Sequence, residues 1–255
     1  MKLLTVNNLS AGYNGTDIIK NISFSVDTGQ IIGILGANGC GKTTLIKSLA
    51  NLLPHTGNCQ LDTITVESVS PKELARLCGY IPQNNSISLD LTLFDVVMMG
   101  FNPELKLLQT PTRQMKETAI QALIDVGLGN RMYDNFQSLS AGQKQLCILA
   151  RTFAGKRKLL LLDEHTAALD PGTAEKVLNL TRRIVEEHQL TCLMITHNMQ
   201  SAIELGNRIL MMDSGNIVLD IEGEEKKNMT VEGLLEKFRS GAGKALDNDR
   251  ILLSD

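Results

Sequence analysis

The residues best suited to chemistry form one glycine-rich run, Gly36-Ala37-Asn38-Gly39-Cys40-Gly41-Lys42-Thr43-Thr44, which fits the pattern Gly-x-x-x-x-Gly-Lys-Ser/Thr. Backbone N–H groups can surround a polyphosphate in such a loop because glycine has no Cβ to hold the chain away. Lys42 would place a positive charge at the β- and γ-phosphates, and the Thr43 hydroxyl would ligate Mg²⁺. We call residues 36–44 the phosphate loop and expect it to bind a nucleoside triphosphate.

A second chemical pair lies about 120 residues further along the chain, where four leucines are followed by Asp163 and Glu164. Such a run predicts a buried strand, and ligands of open α/β sheets bind at the carboxyl ends of strands. Asp163 would hold Mg²⁺ through its water shell. Glu164 could polarise an attacking water and so act as general base.

The phosphate loop and the Asp163–Glu164 pair each require a strand before them, and the phosphate loop also requires a helix after it. The apolar run over residues 30–35 predicts a central parallel strand, and residues 42–53 have helical spacing. Further buried strands are predicted over 159–162 and 191–196, separated by a helix over 171–187. Residues 208–213 and 216–219 predict a hairpin.

The remaining segments complete a predicted α/β fold with a mostly parallel central sheet. Partly alternating runs over residues 4–9 and 22–26 predict an N-terminal antiparallel β subdomain. Capping patterns at Ser70 and Thr92 begin helices, and a helical subdomain is expected as an insertion over about 85–155. We assign residues 1–240 to one domain that carries the phosphate loop and residues 241–255 to a polar tail.

Composition excludes several other classes of protein. The 25 basic and 28 acidic residues give a net charge of −3, which argues against nucleic acid as the main partner. No apolar run reaches the length of a membrane span, and no secretory signal begins the chain. The five scattered cysteines favour reduced thiols in a cytosol over disulfides or zinc sites.

The run Leu139-Ser140-Ala141-Gly142-Gln143 resembles the Leu-Ser-Gly-Gly-Gln signature of ATP-binding-cassette (ABC) ATPases, with alanine replacing one glycine. The resemblance covers nearly the whole chain and its motifs occur in the family's order. It implies that the ring of Tyr13 stacks on adenine and that Gln83 is the Q-loop glutamine. It also implies that Asp170 is the D-loop aspartate and His197 the switch histidine. Gln83 would also ligate Mg²⁺, and His197 would be catalytic together with Glu164.

The resemblance further implies an assembly. Two ATP molecules would lie between two head-to-tail copies, with Ser140, Gly142 and Gln143 of one copy touching the γ-phosphate held by the other. This predicts a homodimer, bound at the cytoplasmic face of the membrane as a peripheral subunit of an integral permease. An extracytoplasmic substrate-binding protein would be an indirect partner, and nucleic acid would not be one.

Three assignments have simpler structural alternatives, and two residues depart from the family's pattern. Tyr13 could pack at a strand end, and Asp170 before a proline could cap the next helix. Ala141 adds a methyl group to the signature, and His165 stands where the family most often has proline. The apolar, methionine-rich run over residues 91–100 could dock a coupling helix of the permease or fill the core.

Two parts of the sequence indicate different transported cargoes. Residues 91–100, together with 80–83 and 100–103, resemble ATPases of iron-chelate and cobalamin importers, which favours a metal chelate. Residues 163–171 resemble another importer group, some members of which pair with aromatic-amino-acid binding proteins. Alternatives are another small-solute transporter ATPase, a soluble cassette without transport function, and a P-loop kinase or GTPase, which would leave the signature unexplained.

Overall fold

The computed structural model describes residues 1–83, 87 and 89–241. The strands in these ranges are β1 Lys2–Tyr13, β2 Thr16–Asp27, β3 Ile31–Gly36, β4 His55–Leu61, β5 Ile64–Thr65, β6 Cys78–Ile81, β7 Leu159–Asp163, β8 Thr191–Ile195, β9 Arg208–Asp213 and β10 Asn216–Glu222. The α-helices are α1 Lys42–Leu49, α2 Pro71–Leu77, α3 Leu93–Met98, α4 Arg113–Asp125, α5 Ala141–Ala154, α6 Pro171–Glu187, α7 Met199–Leu205, α8 Gly223–Lys227 and α9 Val231–Gly241. The predicted tail lies outside the described residues, except for Gly241 at the end of α9.

The chain divides into two compact units. The first unit contains Met1–Val69, Leu161–Glu164 and the residues from 189 onward, and the second contains Ser70–Leu160 and His165–His188. The second unit thus includes the segment expected as a helical insertion together with further residues on both sides of it.

The first unit contains an antiparallel sheet in the order β2-β1-β4-β5. The hairpin between β1 and β2 turns at Asn14 and Gly15, whose φ angles of 52° and 78° are both positive. Asn-Gly is the usual sequence for such a turn because both residues tolerate left-handed backbone. Inward-facing side chains such as Leu4 and Val6 are fully buried, as the alternating pattern requires.

The larger sheet of the first unit has the order β10-β9-β3-β8-β7. Strand β3 is parallel to both β8 and β9, whereas β9 and β10 form an antiparallel hairpin. Every residue of β3 and of β8 is buried, which confirms the prediction of central strands with two covered faces. The hairpin turns at Ser214 and Gly215, with φ angles of 47° and 83°.

The second unit is built from α2 to α6, with β6 next to the first residues of β7. Capping boxes at Ser70 with Glu73 and at Thr92 with Asp95 begin α2 and α3, as the sequence predicted. Within the run over 91–100, Leu93, Val96 and Val97 are fully buried. This run therefore fills the core of the second unit, and only part of it is left for a docking surface. No helix in the described part of the chain is long and apolar enough to cross a membrane.

Candidate functional site

The phosphate loop joins β3 to α1 within the first unit. Gly36 has φ 149°, and a Cβ there would lie 2.3 Å from the carbonyl oxygen of Met212. Gly41 has φ 108°, and a Cβ there would lie 2.6 Å from the Ile19 side chain. Because only glycine fits these two positions, the loop can bend tightly into the start of α1.

The first turn of α1 is left open to a ligand. Its N-cap residue is Gly41, and no side chain caps the helix. Helix N-termini attract anions because their N–H groups and the helix dipole both point outward. The arrangement therefore has the geometry of a phosphate site.

Lys42 carries its charge inside the loop. Its side chain is buried, and Nζ donates hydrogen bonds to the carbonyl oxygens of Gly36 at 2.9 Å and Ala37 at 3.1 Å. Both of these partners are uncharged carbonyl groups, so the ammonium can still attract an anion into the loop. A phosphate group is such an anion.

Thr43 and Asp163 come together although they lie far apart in the chain. Thr43 Oγ1 donates to Asp163 Oδ1 at 3.0 Å, and the carboxylate is almost fully buried at the end of β7. A hydroxyl and a carboxylate side by side are oxygen ligands of the kind Mg²⁺ accepts beside phosphates and waters. The pair fits the magnesium site predicted from the sequence.

Glu164 and His197 form the second pair. His197 Nε2 lies 2.5 Å from Glu164 Oε1, and the Glu164 side chain is only 11% exposed. The hydrogen bond from His197 lowers the pKa of Glu164, burial opposes this shift, and the charges of His197 and Lys42 add to the lowering. The carboxylate is therefore held ionised, and its backbone has an uncommon positive φ of 45°.

Two further residues named by the sequence prediction lie in the first unit. Tyr13 is the last residue of β1 and is about half exposed. Cys40 is buried within the phosphate loop, and burial raises the pKa of its thiol. The thiol is thus a small packing group rather than a reactive nucleophile.

The signature residues lie in the second unit, at the start of α5. Ser140 is the exposed N-cap: its Oγ accepts from the N–H of Gln143, and Gln143 Oε1 accepts from the N–H of Ser140 at 3.1 Å. Sequence analysis assigned both side chains to phosphate contact and did not identify this capping box. The box fixes the helix start and leaves the Ser140 hydroxyl hydrogen available to a ligand.

Gly142 is needed for packing between helices. A Cβ at this position would lie 2.3 Å from Thr173 Cγ2 in the first turn of α6. Asp170 caps that same helix by accepting from the N–H of Thr173 at 3.0 Å, and the side-chain hydrogen bond with Thr173 is the main cause of its lowered pKa. The starts of α5 and α6 are therefore in direct contact, which no pattern in the sequence indicated.

Two other residues that the sequence singled out lie in the second unit, one exposed and one buried. Gln83 follows β6 in an exposed position. His165 is almost fully buried, neither ring nitrogen has a hydrogen-bond partner among the described residues, and burial lowers its pKa to about 4. A neutral imidazole is the form that such burial favours.

Comparisons with known proteins find a matching family model, curated relatives and solved structures. The model of the ABC transporter family matches residues 19–167. A tyrosine transport ATP-binding protein of Clostridioides difficile is 33% identical, over 92% of this chain and 98% of that one. A methionine import ATP-binding protein of Bacillus thuringiensis is 34% identical over 85% of this chain and 65% of that one. A solved structure described as a metal-chelate type ABC transporter in an inward-facing conformation is 29% identical, covers 94% of this chain and 90% of that one, and has a TM-score of 0.77.

Proposed function

The chain belongs to the ABC transporter family as an importer-type ATPase, and we propose which role each of its site residues has in ATP hydrolysis and transport. The observation that carries the proposal is one cluster in the first unit. There the phosphate loop, the Thr43–Asp163 pair and the Glu164–His197 pair meet at the ends of neighbouring strands. A buried lysine beside both pairs suits phosphoryl transfer from a bound nucleotide.

ATP is bound by the phosphate loop. Lys42 turns from the carbonyl oxygens of Gly36 and Ala37 to the β- and γ-phosphates, while the N–H groups at the start of α1 surround them. Thr43 and Asp163 would hold Mg²⁺, which when bound neutralises the charge that develops on the phosphate oxygens, and ligation by Gln83 stays a prediction from the family resemblance. The ring of Tyr13 stacks on the adenine.

Glu164 acts as general base on the attacking water. Its hydrogen bond to His197 keeps it ionised and therefore able to accept a proton. His197 orients this carboxylate through its Nε2–H, and when ATP binds it transfers this single hydrogen bond to the γ-phosphate.

A second copy completes the site through its signature residues. The exposed Ser140 hydroxyl and the N–H groups at the start of α5 form an anion-binding surface, and Gly142 holds that surface against α6. We place the surface of one copy on the γ-phosphate held by the other, with Gln143 keeping the Ser140 cap in position. ATP binding then closes the dimer and hydrolysis reopens it.

The mechanical output passes to an integral membrane permease. The chain would lie at the cytoplasmic face of the membrane, bound to the permease and acting indirectly on an extracytoplasmic binding protein. Among the residues of the predicted docking run, Phe94, Met98 and Met99 remain partly or fully exposed, and they are our candidates for contact with a coupling helix.

An amino acid is the first candidate cargo. The Clostridioides difficile relative is named for tyrosine transport and aligns with nearly its whole length, and the Bacillus thuringiensis relative is named for methionine import. A metal chelate, which the sequence favoured, is the second candidate because of the metal-chelate type structure at 29% identity. Transport assays with the cognate permease, using tyrosine and a ferric chelate in competition, distinguish the two.

The ATPase assignment is tested on the purified chain. Lys42→Ala removes the charge that holds the phosphates, so ATP affinity and phosphate release with Mg²⁺ should both fall by at least tenfold. Lys116→Ala is a matched control that should bind and hydrolyse ATP as the parent does: Lys116 is also a lysine near the start of a helix, and it is exposed on α4. If Lys42→Ala bound and hydrolysed ATP as the parent does, the phosphate loop would not be the site.

A further inference from the structure

A turn in the second unit presents two leucines to solvent. Leu107 is 92% exposed and Leu108 is 95% exposed, although neither lies at a chain end. Solvent-exposed leucines are ordinary when they are scattered, but two adjacent ones at a turn form a local apolar projection. We call residues 106–109 the leucine turn.

The backbone of the leucine turn is ordered and strained. The N–H of Gln109 donates to the carbonyl oxygen of Lys106 at 3.0 Å, and Gln109 Oε1 accepts from the N–H of Lys106 at 2.9 Å. Leu108 has φ +64°, a conformation in which glycine or asparagine is usual. The turn therefore holds a leucine where a smaller residue would be less strained, and strain of this kind concentrates at functional sites.

The segment leading to the turn is held from α2. Lys72 Nζ donates to the carbonyl oxygen of Leu105, and Arg76 Nε donates to that of Pro103 at 2.8 Å. These contacts fix the position from which the two leucines project. They also bring two cationic side chains beside the turn, which carries a third cation of its own at Lys106.

Two carboxylates stand beside these cations in the chain. Glu104 pairs with Arg157 at 3.3 Å, whereas Glu73 closes the capping box with the uncharged Ser70 and interacts electrostatically with Arg76. After these pairings, Lys72 and Lys106 leave a net positive charge beside the leucine turn. An apolar projection with a basic surround is complementary to a lipid surface that carries anionic headgroups.

We propose that the leucine turn inserts Leu107 and Leu108 into the interfacial region of an anionic lipid bilayer, while Lys72, Arg76 and Lys106 contact the headgroups. Protein docking is less well matched, because cytoplasmic loops of membrane proteins carry an excess of lysine and arginine that would repel this surround. This proposal rests on the proposed location of the chain at a membrane, and it adds a direct contact between the chain and lipid.

A tryptophan reporter tests the insertion in the full chain. The sequence has no tryptophan, so Leu107→Trp introduces a single indole. Its emission should shift to the blue on vesicles of phosphatidylcholine with about one third phosphatidylglycerol, and should stay unchanged on phosphatidylcholine alone. Tyr133→Trp, at a position 75% exposed, is the matched reporter and should show no shift. An equal shift at both positions would mean non-specific adsorption and would overturn the proposal.

Vesicle sedimentation tests the energetics. Leu107→Ser combined with Leu108→Ser should lower partitioning at least tenfold, since each loses the burial of an apolar side chain. Lys106→Gln should lower it about fivefold, and Tyr133→Ser should leave it unchanged. Parental partitioning of the double serine variant would overturn the proposal, as would a reporter shift that requires the permease. ATP hydrolysis is measured on the same samples: normal hydrolysis without vesicle binding rejects the lipid contact alone, and absent hydrolysis in the parental chain rejects the ATPase assignment.

Discussion

Substitution of Gly142 by alanine should destabilise the chain through one specific clash. The added Cβ would lie 2.3 Å from Thr173 Cγ2, whereas the next nearest atom, Thr173 Cβ, is at 3.7 Å. Carbon atoms in ordinary contact are about 3.5–4.0 Å apart, so the starts of α5 and α6 must separate by more than about 1 Å or Thr173 must change rotamer. Overpacking of this kind costs about 1–3 kcal/mol, and the better helix propensity of alanine offsets about 1 kcal/mol of it.

Removal of the Thr173 methyl group should turn the destabilising effect of Gly142→Ala into a stabilising one. In a Thr173→Ser background the clash is absent, so Gly142→Ala should stabilise the chain by about 0.5–1 kcal/mol. The double-mutant cycle is read from urea unfolding followed by circular dichroism, with Ala141→Gly as the control that should show no coupling to Thr173. Equal effects of Gly142→Ala in the two backgrounds would refute the contact between α5 and α6.

Two further predictions concern buried groups. Because burial lowers the pKa of His165 to about 4, the unfolded chain binds a proton between pH 6.5 and 4 that the folded chain excludes. The free energy of unfolding should therefore fall by about 3 kcal/mol as the pH falls over that range. Urea titrations at a series of pH values should show a flatter dependence for His165→Leu. An equally steep dependence in this variant would contradict the prediction. All five cysteines are buried, so a thiol reagent should find almost none in the native chain and five in urea, and rapid native labelling of Cys40 would contradict its burial.

Much of the fold could be predicted because local sequence and tertiary structure agree. The helix over Pro171–Glu187 and the strand over Arg208–Asp213 begin and end where the sequence placed them. In both, a turn or capping residue marks the boundary and the apolar period marks the element. Helix α1 instead ends at Leu49, before the predicted limit at residue 53, although apolar spacing continues beyond it. Periodicity alone does not fix where a helix ends.

The candidate site was partly predictable for the same reason. The phosphate loop, Asp163 and Glu164 follow apolar runs whose strand character fixes where the polar residues emerge. The Thr43–Asp163 and Glu164–His197 pairs join residues far apart in the chain, so the sequence could predict their proximity only through the sheet.

The contacts that sequence reasoning missed depend on packing between elements. The approach of Gly142 to Thr173 follows from how α5 and α6 lie together, and glycine at a signature position had suggested only ligand contact. The exposure of Leu107 and Leu108 is likewise invisible in composition, because leucine usually lies in a core.

ATP-dependent dimerisation of the Glu164→Gln variant tests the central claim most directly. This variant keeps the phosphate loop and the Ser140 cap but loses the proposed base, so hydrolysis should slow by a factor on the order of 100 to 10,000. Light scattering with Mg²⁺ and ATP should then show a stable dimer that retains two ATP, and a monomer without nucleotide. A variant that stays monomeric with bound ATP, or that hydrolyses ATP at the parental rate, would contradict the account.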